Sequence, residues 1–571
     1  MLLKAGRLIS LTAPRRGHAA TPRQIWIPRV SVCLGEGTKR SFATSQDDKL
    51  PRGNHPSSGN SFRALLLLFS ATATGIGGWL IGQNAQHPKN EGAHKPGSQP
   101  VYATRVEMEH AVDELRALLG EDGVSIEDEI LKAHGYSEWS SINIDRLPVA
   151  VAFPSSTEQV SEIAKICTKY RVPMSQLPYS GGSSVEGHFS APFGGISIDF
   201  VEMNKILKFH RDDMNVQVQP SLSWADLNER IKDSGLFFPM DPGPSAQIGG
   251  MIGTNCSGTN AVRYGTMKDW VVNLTVVLSD GTILKTRRRP RKSSAGYNLN
   301  SLFVGSEGTL GFVTEATLKL ATIPEETGVA VLAFPTIKDA ASMAVDVIHK
   351  GILVGAVEIL DDVQMNVINR SGATGRHWTE KPTLFFKFSG TKAGVADDIK
   401  QVQNIAKRYN TLEFQFENDP EKQKRLWSAR KEALWSMLSL RESGSEVWST
   451  DVAVPLSRVA ELIELSKKDL DALGLFGSVL GHVGDGNFHE TILFDGAKER
   501  TSVENCVHKM VDRALEMEGT CTGEHGIGLG KKDSLQKELG DAPIQVMRAI
   551  KKSLDPNWLM NPGKIFDPQV K

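Results

Sequence analysis

Three segments rich in glycine, serine and asparagine interrupt a run of strand-like sequence, and they restrict the fold of this chain more than any other feature. They are PYSGGSSVEG at 178–187, GGMIGTNCSG at 249–258 and GSEGTLG at 305–311. Because glycine has no side chain, such loops let backbone amides approach a pyrophosphate closely. Ordinary tight turns have the same composition, and they remain the alternative. Three such loops in one region favour a domain that cradles a nucleotide.

The elements around these loops predict an α+β fold. Thr104 and Glu107 form a capping box for a helix that ends at Gly120, and Ser156 caps a second helix that follows a strand at 148–153. This β–α order indicates a mixed sheet. Further strands are expected at 195–200, 215–220 and 270–286. The last of these stretches contains Asp-Gly, which predicts a hairpin turn.

The first hundred residues differ from the rest in composition. Residues 1–46 hold eight Lys or Arg and one acid, which is typical of a mitochondrial presequence, although a disordered basic tail is the alternative. Residues 64–82 carry no charge and would span about 28 Å as a helix, which predicts one transmembrane helix. A Gly/Pro-rich linker follows at 84–100. Since basic residues precede the span, we expect the bulk of the chain to face the intermembrane space.

Composition and missing motifs exclude several classes of protein. The net charge of −1 over 571 residues argues against a nucleic-acid partner. Five scattered cysteines without CxxC spacing indicate neither a disulfide framework nor a thiolate metal cluster. No GxGxxG follows a strand and opens a helix, and the residues around Gly530-Lys531 do not fit a P-loop. An NAD-dependent Rossmann enzyme and a P-loop ATPase are therefore disfavoured.

A candidate metal site lies near the C-terminus. His482 and His489 bracket Asp485-Gly486, and Glu524 follows 35 residues after the second histidine. A two-residue Asp-Gly turn would pair 482 with 489, with Cβ atoms about 4.5 to 5.5 Å apart, close enough to hold a divalent ion. Glu524 is the candidate third ligand, and three protein ligands leave a position for water or substrate. A surface hairpin with two unrelated histidines is the alternative.

Several motifs follow the order and spacing of a known family. They are PYSGGSSVEGH, PSAQIGGMIGTNCSGTNAVRYGTMKDWV, FVGSEGTLGFVTEATLKL, GHVGDGNFH, TGEHGIGLGK and NPGKIF. Together they resemble the FAD-linked oxidases of the vanillyl-alcohol-oxidase superfamily, over roughly residues 100 to 571. The resemblance implies a helical segment at 101–145, a two-subdomain FAD-binding domain of the PCMH type at 146–322, an α+β cap domain at 323–555 whose antiparallel sheet serves substrate and metal, and a tail at 556–571 that returns to the flavin.

The resemblance implies FAD as the cofactor and assigns residues to it. The pyrophosphate would be wrapped by Ser180, Gly181, Gly182, Ser183, Ser184 and Gly187. The flavin would be lined by Pro242, Gly249, Gly250, Gly253, Thr254, Asn255 and Ser257. The adenine side would be supported by Gly308, Thr309 and Val313, and Asn561 and Lys564 would close over the isoalloxazine. His188 lies just beyond the phosphate loop, where covalent attachment would be considered, but we expect noncovalent binding.

The same resemblance implies a catalytic arrangement. His482, His489 and Glu524 would hold Zn²⁺ or Mn²⁺, which would chelate the hydroxyl and one carboxylate oxygen of a 2-hydroxy acid. His525 is the candidate base for the hydroxyl proton while a hydride passes to flavin N5, or else it orients the metal site. Arg430 is the candidate clamp for the substrate carboxylate, with a helix-surface salt bridge as the alternative. Asn487 would hold the substrate or serve the turn.

The implied activity is the oxidation of D-lactate to pyruvate, with electrons passed to cytochrome c at the mitochondrial inner membrane. The resemblance implies that relatives which oxidise 2-hydroxyglutarate carry a Lys for the second carboxylate in the stretch that is WSTD at 448–451 here. This sequence offers no cation there, which favours a monocarboxylic substrate. The D configuration follows from the resemblance alone. The nearest alternatives are dehydrogenases for 2-hydroxyglutarate or glycolate. A non-redox member of the superfamily, such as an alkyl transferase, lacks the paired-histidine hairpin, and a metal-dependent hydrolase or membrane-anchored binding protein would contain no flavin.

Overall fold

The computed structural model describes residues 100–568, apart from 138–139, 178–183, 189 and 443. The predicted presequence, the predicted membrane helix and nearly all of the linker lie outside the described residues. The same holds for four residues of the predicted phosphate loop, Ser180, Gly181, Gly182 and Ser183. Within the described ranges, no helix is both long and apolar enough to cross a membrane.

A four-stranded mixed sheet follows the first helix. Its strands are β1 (Val124–Ser125), β2 (Ala150–Ala152), β3 (Met174–Leu177) and β4 (Ile196–Asp199), in the order β1-β2-β4-β3 with only the first pair antiparallel. Its helices are α1 (Arg105–Leu119), α2 (Asp128–Ala133) and α3 (Thr157–Tyr170). Apolar residues of α1 and α3 share one core with the sheet. The caps of both helices are the predicted ones, Thr104 with Glu107 and Ser156.

A five-stranded antiparallel sheet forms the second layer, in the order β5-β6-β10-β8-β9. The strands of this region are β5 (Ile206–His210), β6 (Asn215–Val218), β7 (Leu236–Phe237), β8 (Val271–Val277), β9 (Ile283–Lys285), β10 (Phe312–Lys319) and β11 (Ala321–Thr322). Strands β7 and β11 pair separately. The hairpin predicted within 270–286 is confirmed as β8 and β9. The helices are α4 (Trp224–Ile231), α5 (Ile248–Thr254), α6 (Ala261–Tyr264), α7 (Met267–Trp270) and α8 (Leu299–Phe303).

An eight-stranded antiparallel sheet dominates the C-terminal half. Its order is β15-β12-β14-β13-β18-β19-β16, and β17 pairs with β19. Its strands are β12 (Glu326–Ala333), β13 (Val354–Leu360), β14 (Thr383–Gly390), β15 (Glu413–Glu417), β16 (Ser445–Ser449), β17 (Val452–Ala453), β18 (Phe476–Gly481) and β19 (Asn487–Asp495). The predicted α+β fold with an antiparallel C-terminal sheet is therefore confirmed.

Helices cover both faces of this sheet. They are α9 (Ile337–His349), α10 (Asp362–Ser371), α11 (Lys392–Ala406), α12 (Pro420–Leu438), α13 (Leu456–Leu473), α14 (Gly496–Glu516), α15 (Lys532–Leu539) and α16 (Asp541–Leu554). One apolar core joins the sheet to α9, α11, α13 and α14, and another joins it to α10 and α12. Burial on both faces makes the sheet a rigid support for side chains at its strand ends.

The chain ends by returning to the first sheet. Met174 of β3 donates its N–H to the carbonyl of Leu559 at 2.6 Å, and Asn561 donates its N–H to the carbonyl of Met174 at 2.8 Å. Lys551 of α16 is buried and donates to the carbonyl of Thr309 at 2.7 Å. The C-terminal residues therefore lie beside the glycine-rich segments of the first half.

Candidate active site

The hairpin of β18 and β19 carries both histidines, but its register differs from the predicted one. Leu480, and not His482, pairs with His489. The carbonyl of His482 accepts the N–H of Asp485 at 2.9 Å and of Asn487 at 3.3 Å. The residues Val483–Asp485 form a 3₁₀ turn. The predicted direct pairing of 482 with 489 is therefore wrong, because this turn makes the connection longer than two residues.

The three candidate metal ligands nevertheless converge. Ligand atoms of His482, His489 and Glu524 all lie within 4.8 Å of one another. Glu524 Oε1 is 3.2 Å from His482 Nε2 and 3.4 Å from His489 Nε2. His482 directly follows β18, His489 lies in β19, and Glu524 lies in the loop after α14. Two imidazoles and a carboxylate at this spacing are a donor set that suits Zn²⁺ or Mn²⁺.

A second hydrogen bond fixes the orientation of each imidazole. His482 Nδ1 lies 2.8 Å from Glu358 Oε1, and His489 Nδ1 lies 2.9 Å from the carbonyl oxygen of Thr450. Both Nε2 atoms therefore face Glu524. Metal-binding histidines use such bonds to fix the ring and its tautomer. The arrangement is that of ligands held ready for an ion.

Glu358 also binds Arg430, the predicted carboxylate clamp. Arg430 Nε donates to Glu358 Oε2 at 2.8 Å. The side chain of Glu358 is 1% exposed and that of Arg430 15% exposed, so this ion pair is not a helix-surface one. Sequence patterns alone did not indicate Glu358. The feature that could have indicated Glu358 is a single acid inside the apolar strand VGAVEIL, since an acid is almost never fully buried unless it is paired.

The surrounding charges favour a cation between these ligands. Burial opposes a charge on His482, but the carboxylates of Glu358 and Glu524 outweigh it and hold the pKa of His482 well above its ordinary value. Burial also opposes a charge on Glu524, but His482 and His489 outweigh it and hold the pKa of Glu524 well below its ordinary value. An anionic Glu524 between two imidazoles would stabilise a divalent ion in the same way.

Asp451 holds the loop that carries Glu524. Its Oδ2 accepts the backbone N–H groups of residues 523, 524 and 525 at 2.7, 2.9 and 3.0 Å, and the hydroxyl of Thr522 at 2.7 Å. Successive N–H groups that converge in this way form an anion-binding nest. The stretch WSTD indicated only the absence of a cation in the sequence, and the role of its aspartate was missed because its partners lie more than 70 residues away.

Asn487 is also bound to Asp451. Its Nδ2 donates to Asp451 Oδ1 and to the carbonyl of Val452, both at 2.8 Å. A Cβ on Gly523 would lie 2.2 Å from this nitrogen, so the loop approaches the amide closely. Asn487 Oδ1 is buried and has no hydrogen-bond partner among the residues that the structure describes. The amide nitrogen thus supports the loop, while the amide oxygen is available to a bound group.

His525 stacks on one of the candidate ligands. Its ring centroid lies 5.0 Å from that of His489, with 11° between the planes. Burial lowers the pKa of His525 to about 4, against the opposite effect of Asp451. Its Nδ1 is buried without a hydrogen-bond partner in the described part of the chain. Near pH 7 the imidazole is neutral and has a nitrogen that can accept a proton.

The described end of the predicted phosphate loop is tied to a histidine. Ser184 Oγ lies 2.5 Å from His188 Nδ1, and His188 Nε2 lies 3.0 Å from Glu307 Oε2. Gly187 has a φ of +72°, and a Cβ there would lie 2.7 Å from Ile142. Nδ1 of His188 is thus engaged by Ser184, whereas Nε2, although close to Glu307, is buried without a hydrogen-bond partner among the described residues. Noncovalent binding of a flavin stays a prediction.

The predicted flavin-lining segment contacts one of the candidate metal ligands. Helix α5 contains Gly249, Gly250, Gly253 and Thr254, and Asn255 follows with a φ of +53°. A Cβ on Gly258 would lie 2.8 Å from the backbone nitrogen of Pro242, which brings Pro242 to the end of this segment. Ser257 Oγ donates to Glu524 Oε2 at 2.6 Å. Ser257 was predicted to line the flavin, and its contact with a candidate metal ligand was not predicted.

The remaining predicted cofactor residues lie around Glu307. Gly308 has a φ of +68°, Thr309 is buried and donates to the carbonyl of Ser306 at 2.7 Å, and Val313 is buried in β10. From the tail, Asn561 Nδ2 donates to the carbonyl of Glu307 at 2.9 Å, and Lys564 Nζ donates to Asn561 Oδ1 at 2.8 Å. Burial lowers the pKa of Lys564 to about 7.

Unsatisfied polar atoms in these segments fit a bound cofactor. Ser190 Oγ, two residues after His188, and Gln247 Oε1, directly before α5, are buried without hydrogen-bond partners among the described residues. Leaving a buried polar atom unpaired costs about 1 to 3 kcal/mol. A polar cofactor between the two segments would remove that cost.

Comparisons with known proteins agree with this site and fold. Residues 148–287 match the family "FAD binding domain", and residues 323–565 match "FAD linked oxidases, C-terminal domain". The fold is similar to that of 4-ethylphenol oxidase from Gulosibacter chungangensis, with a TM-score of 0.67, 17% identity, and coverage of 83% of this chain and 100% of that one. Fold and site define a flavin-dependent oxidoreductase, and the chain belongs to the FAD-linked oxidases.

Two relatives narrow this assignment further. The chain is 49% identical over 461 residues to the mitochondrial D-lactate dehydrogenase (cytochrome) of Arabidopsis thaliana, which covers 80% of each chain. It is 46% identical over 473 residues to the mitochondrial D-lactate dehydrogenase (cytochrome) 1 of Saccharomyces cerevisiae, which covers 81% of this chain and 80% of that one. The resemblance drawn from the sequence motifs is therefore confirmed.

Proposed function

We propose that this chain oxidises D-lactate to pyruvate, with FAD as the immediate electron acceptor and cytochrome c as the next one. The observation that carries the proposal is the convergence of His482, His489 and Glu524 within 4.8 Å. Glu524 also accepts a hydrogen bond from Ser257 of the predicted flavin segment. A metal ion at this place would bind the hydroxyl of a 2-hydroxy acid beside the flavin that accepts its hydrogen. The names of the two relatives support lactate as that acid.

The described residues fit both FAD and a divalent metal ion. When bound, FAD supplies the acceptor for the hydrogen on C2, and Zn²⁺ or Mn²⁺ supplies a Lewis acid for the 2-hydroxyl. His482, His489 and Glu524 would hold the metal ion. Described residues of the phosphate loop, helix α5 and the C-terminal tail would hold FAD noncovalently.

Arg430 would bind the substrate carboxylate. Its Nε is engaged by Glu358, which leaves the two terminal nitrogens for a bidentate contact. Because Glu358 also binds His482, the clamp and the metal ligand are held by one buried carboxylate. The substrate would therefore be fixed at both its carboxylate and its hydroxyl, which places C2 in one orientation.

His525 would accept the hydroxyl proton at Nδ1. This atom is buried, lacks a partner among the described residues and lies in a ring stacked on His489. Asn487 Oδ1 would accept a hydrogen bond from the substrate in the same region. Residues 448–451 bring no cation of their own, and Lys531, which contacts this stretch, is engaged by the carbonyl of Asp451 at 3.0 Å and by Glu186 at 3.3 Å; this supports lactate over 2-hydroxyglutarate.

The cellular site is part of the proposal. Residues 1–46 would direct the chain to mitochondria, in agreement with the word mitochondrial in the names of both relatives. Residues 64–82 would anchor it once in the inner membrane, with the catalytic part in the intermembrane space. This orientation supports cytochrome c as the acceptor, because the protein would face that compartment.

Anaerobic reduction of the bound flavin tests the proposal. Purified protein would be mixed separately with D-lactate, L-lactate and D-2-hydroxyglutarate while the visible flavin band is recorded. We expect rapid bleaching by D-lactate alone, and a chelator should abolish it. Bleaching by the dicarboxylate alone would assign a different substrate, and a protein that binds no flavin would contradict the proposal as a whole.

A further inference from the structure

Glu307 joins the flavin-binding half of the chain to the loop that carries Glu524 and His525. It lies in GSEGTLG between α8 and β10 and is buried. Its Oε1 accepts the N–H of Ile527 at 2.7 Å, and its Oε2 accepts the N–H of Gly528 at 2.8 Å. The Glu307 carboxylate therefore fixes the backbone of residues 527 and 528, shortly after the candidate ligand Glu524 and the candidate base His525.

The same residue contacts the segments predicted to surround FAD. His188 Nε2 lies 3.0 Å from Glu307 Oε2. The backbone N–H of Glu307 donates to the carbonyl of Gly253 at 2.9 Å, and the carbonyl of Glu307 accepts from Asn561 Nδ2 at 2.9 Å. His188, helix α5 and the C-terminal tail thus all meet at Glu307, the residue that also binds the loop carrying Glu524.

The backbone has a positive φ on both sides of this contact. Glu307 has a φ of +50°, which a residue with a side chain rarely adopts and which persists only where its surroundings enforce it. Gly526 has a φ of +83°, and a Cβ there would lie 2.8 Å from Glu307 Oε1 and 3.1 Å from His188 Nε2. The close approach therefore requires a glycine in the loop and an unfavourable backbone at the glutamate.

We propose that Glu307 is a positioning residue that sets the place of Glu524 and His525 relative to the flavin. Both carboxylate oxygens are used for this purpose, one on each of two successive amides. The inference rests on the proposed function, because it assumes that the loop presents a metal ligand and a base. Glu307 would contact neither substrate nor metal, and yet it would determine where both are held.

The charge state of Glu307 agrees with this role. Burial opposes ionisation, but His188 and the N–H groups of Ile527 and Gly528 outweigh it and keep the pKa of Glu307 below its ordinary value. An ionised carboxylate accepts hydrogen bonds that are stronger than those of a neutral amide. A glutamine of the same shape would present its NH₂ group to one of the two backbone N–H donors, and one bond would be lost.

Glu307→Gln in the FAD-bound protein tests the proposal, with Glu315→Gln as the matched control. Glu315 lies on β10 in the same half, is partly buried and accepts from Gln217 and Thr275. We expect E307Q to keep its flavin band and to show faster hydrogen exchange at the amides of 527 and 528. Its affinity for added Zn²⁺ or Mn²⁺ and its kcat with D-lactate should fall about 10-fold to 100-fold, with a smaller change in KM. E315Q should match the wild type.

Wild-type exchange at 527 and 528, together with wild-type metal affinity, would overturn the role of Glu307. If E307Q is isolated without FAD, exchange in the wild-type holoenzyme decides, because amides at 527 and 528 that exchange as fast as exposed loop amides are not held by a carboxylate. The exchange measurement needs no substrate. A wild-type protein that fails to oxidise D-lactate would therefore contradict the proposed function without deciding the role of Glu307.

Discussion

Single buried carboxylates do much of the positioning in this site. Asp451 binds the backbone of 523–525, Glu358 binds His482 and Arg430, and Glu307 binds the amides after Glu524. Each takes part in hydrogen bonds that would have to be broken if the loop or the ligand moved. Because the interior weakens screening, losing one partner in such a network costs more than losing a surface contact.

Replacing Asp451 by Asn should therefore weaken metal binding without removing a ligand. The amide has one acceptor oxygen, so its NH₂ group would face either the converging N–H donors of 523–525 or the side-chain nitrogen of Asn487. We expect Asp451→Asn to lower metal affinity and turnover about 10-fold to 100-fold. Competition between the protein and a chelator for the metal measures this effect. Asp471→Asn, at an exposed position of α13, is the control, and equal affinities in the two variants would contradict the prediction.

Lys564 predicts a pH dependence at the flavin. With a pKa of about 7, the amine is protonated below that pH and neutral above it. Lys564 is proposed to close over the isoalloxazine, where a positive charge would stabilise an anionic adduct. Sulfite should then bind the wild-type flavin more tightly relative to Lys564→Met as the pH falls from about 8 to 6. The ratio of the two dissociation constants cancels the titration of sulfite itself. A ratio that does not change with pH would contradict this prediction.

At the scale of elements, local signals predicted local structure. The capping residues Thr104 and Ser156 define the starts of α1 and α3, because a cap bonds an amide only a few residues away. The sequence predicted a hairpin that carries His482 and His489, but it did not predict the register of that hairpin, since a 3₁₀ turn lengthens its connection. Glu358, the partner of His482, lies 124 residues away in sequence, and Glu307 lies 220 residues from Ile527, whose N–H it accepts. No local pattern contains that information.

Helix α16 provides a stability test at this scale. Lys551 is buried and donates to the carbonyls of Thr309 and Met560 at 2.7 and 2.8 Å, and it pairs with the buried Asp555. Lys551→Met would leave that buried carboxylate with two backbone N–H donors but without its cationic partner, so we expect the free energy of unfolding to fall by about 3 to 5 kcal/mol. Lys552→Met, one residue along and exposed, should stay within about 0.5 kcal/mol. Thermal unfolding of the two variants compares them, and equal midpoints would contradict the prediction.

At the scale of the whole molecule, the described residues include the sheets that support the proposed site. The candidate metal ligands belong to the large sheet and its loops, and the tail closes on the first sheet through Met174. Residues before 100 were assigned by sequence to targeting and anchoring. Their removal should therefore leave the chemistry intact, whereas removal of α1 should not, because α1 covers part of the first core.

Two truncated chains separate these cases. A chain that begins at Pro100 keeps α1 and should bind FAD and be bleached by D-lactate as the full chain is. A chain that begins at Gly120 loses Ala111 and Leu115, both fully buried against α3 and the first sheet, and fully burying a leucine is worth about 1.5 to 3 kcal/mol. We expect the shorter chain to lose flavin or to aggregate. The ratio of visible flavin absorbance to soluble protein compares the two truncated chains. A chain from Pro100 without flavin would show that residues before 100 contribute to the fold.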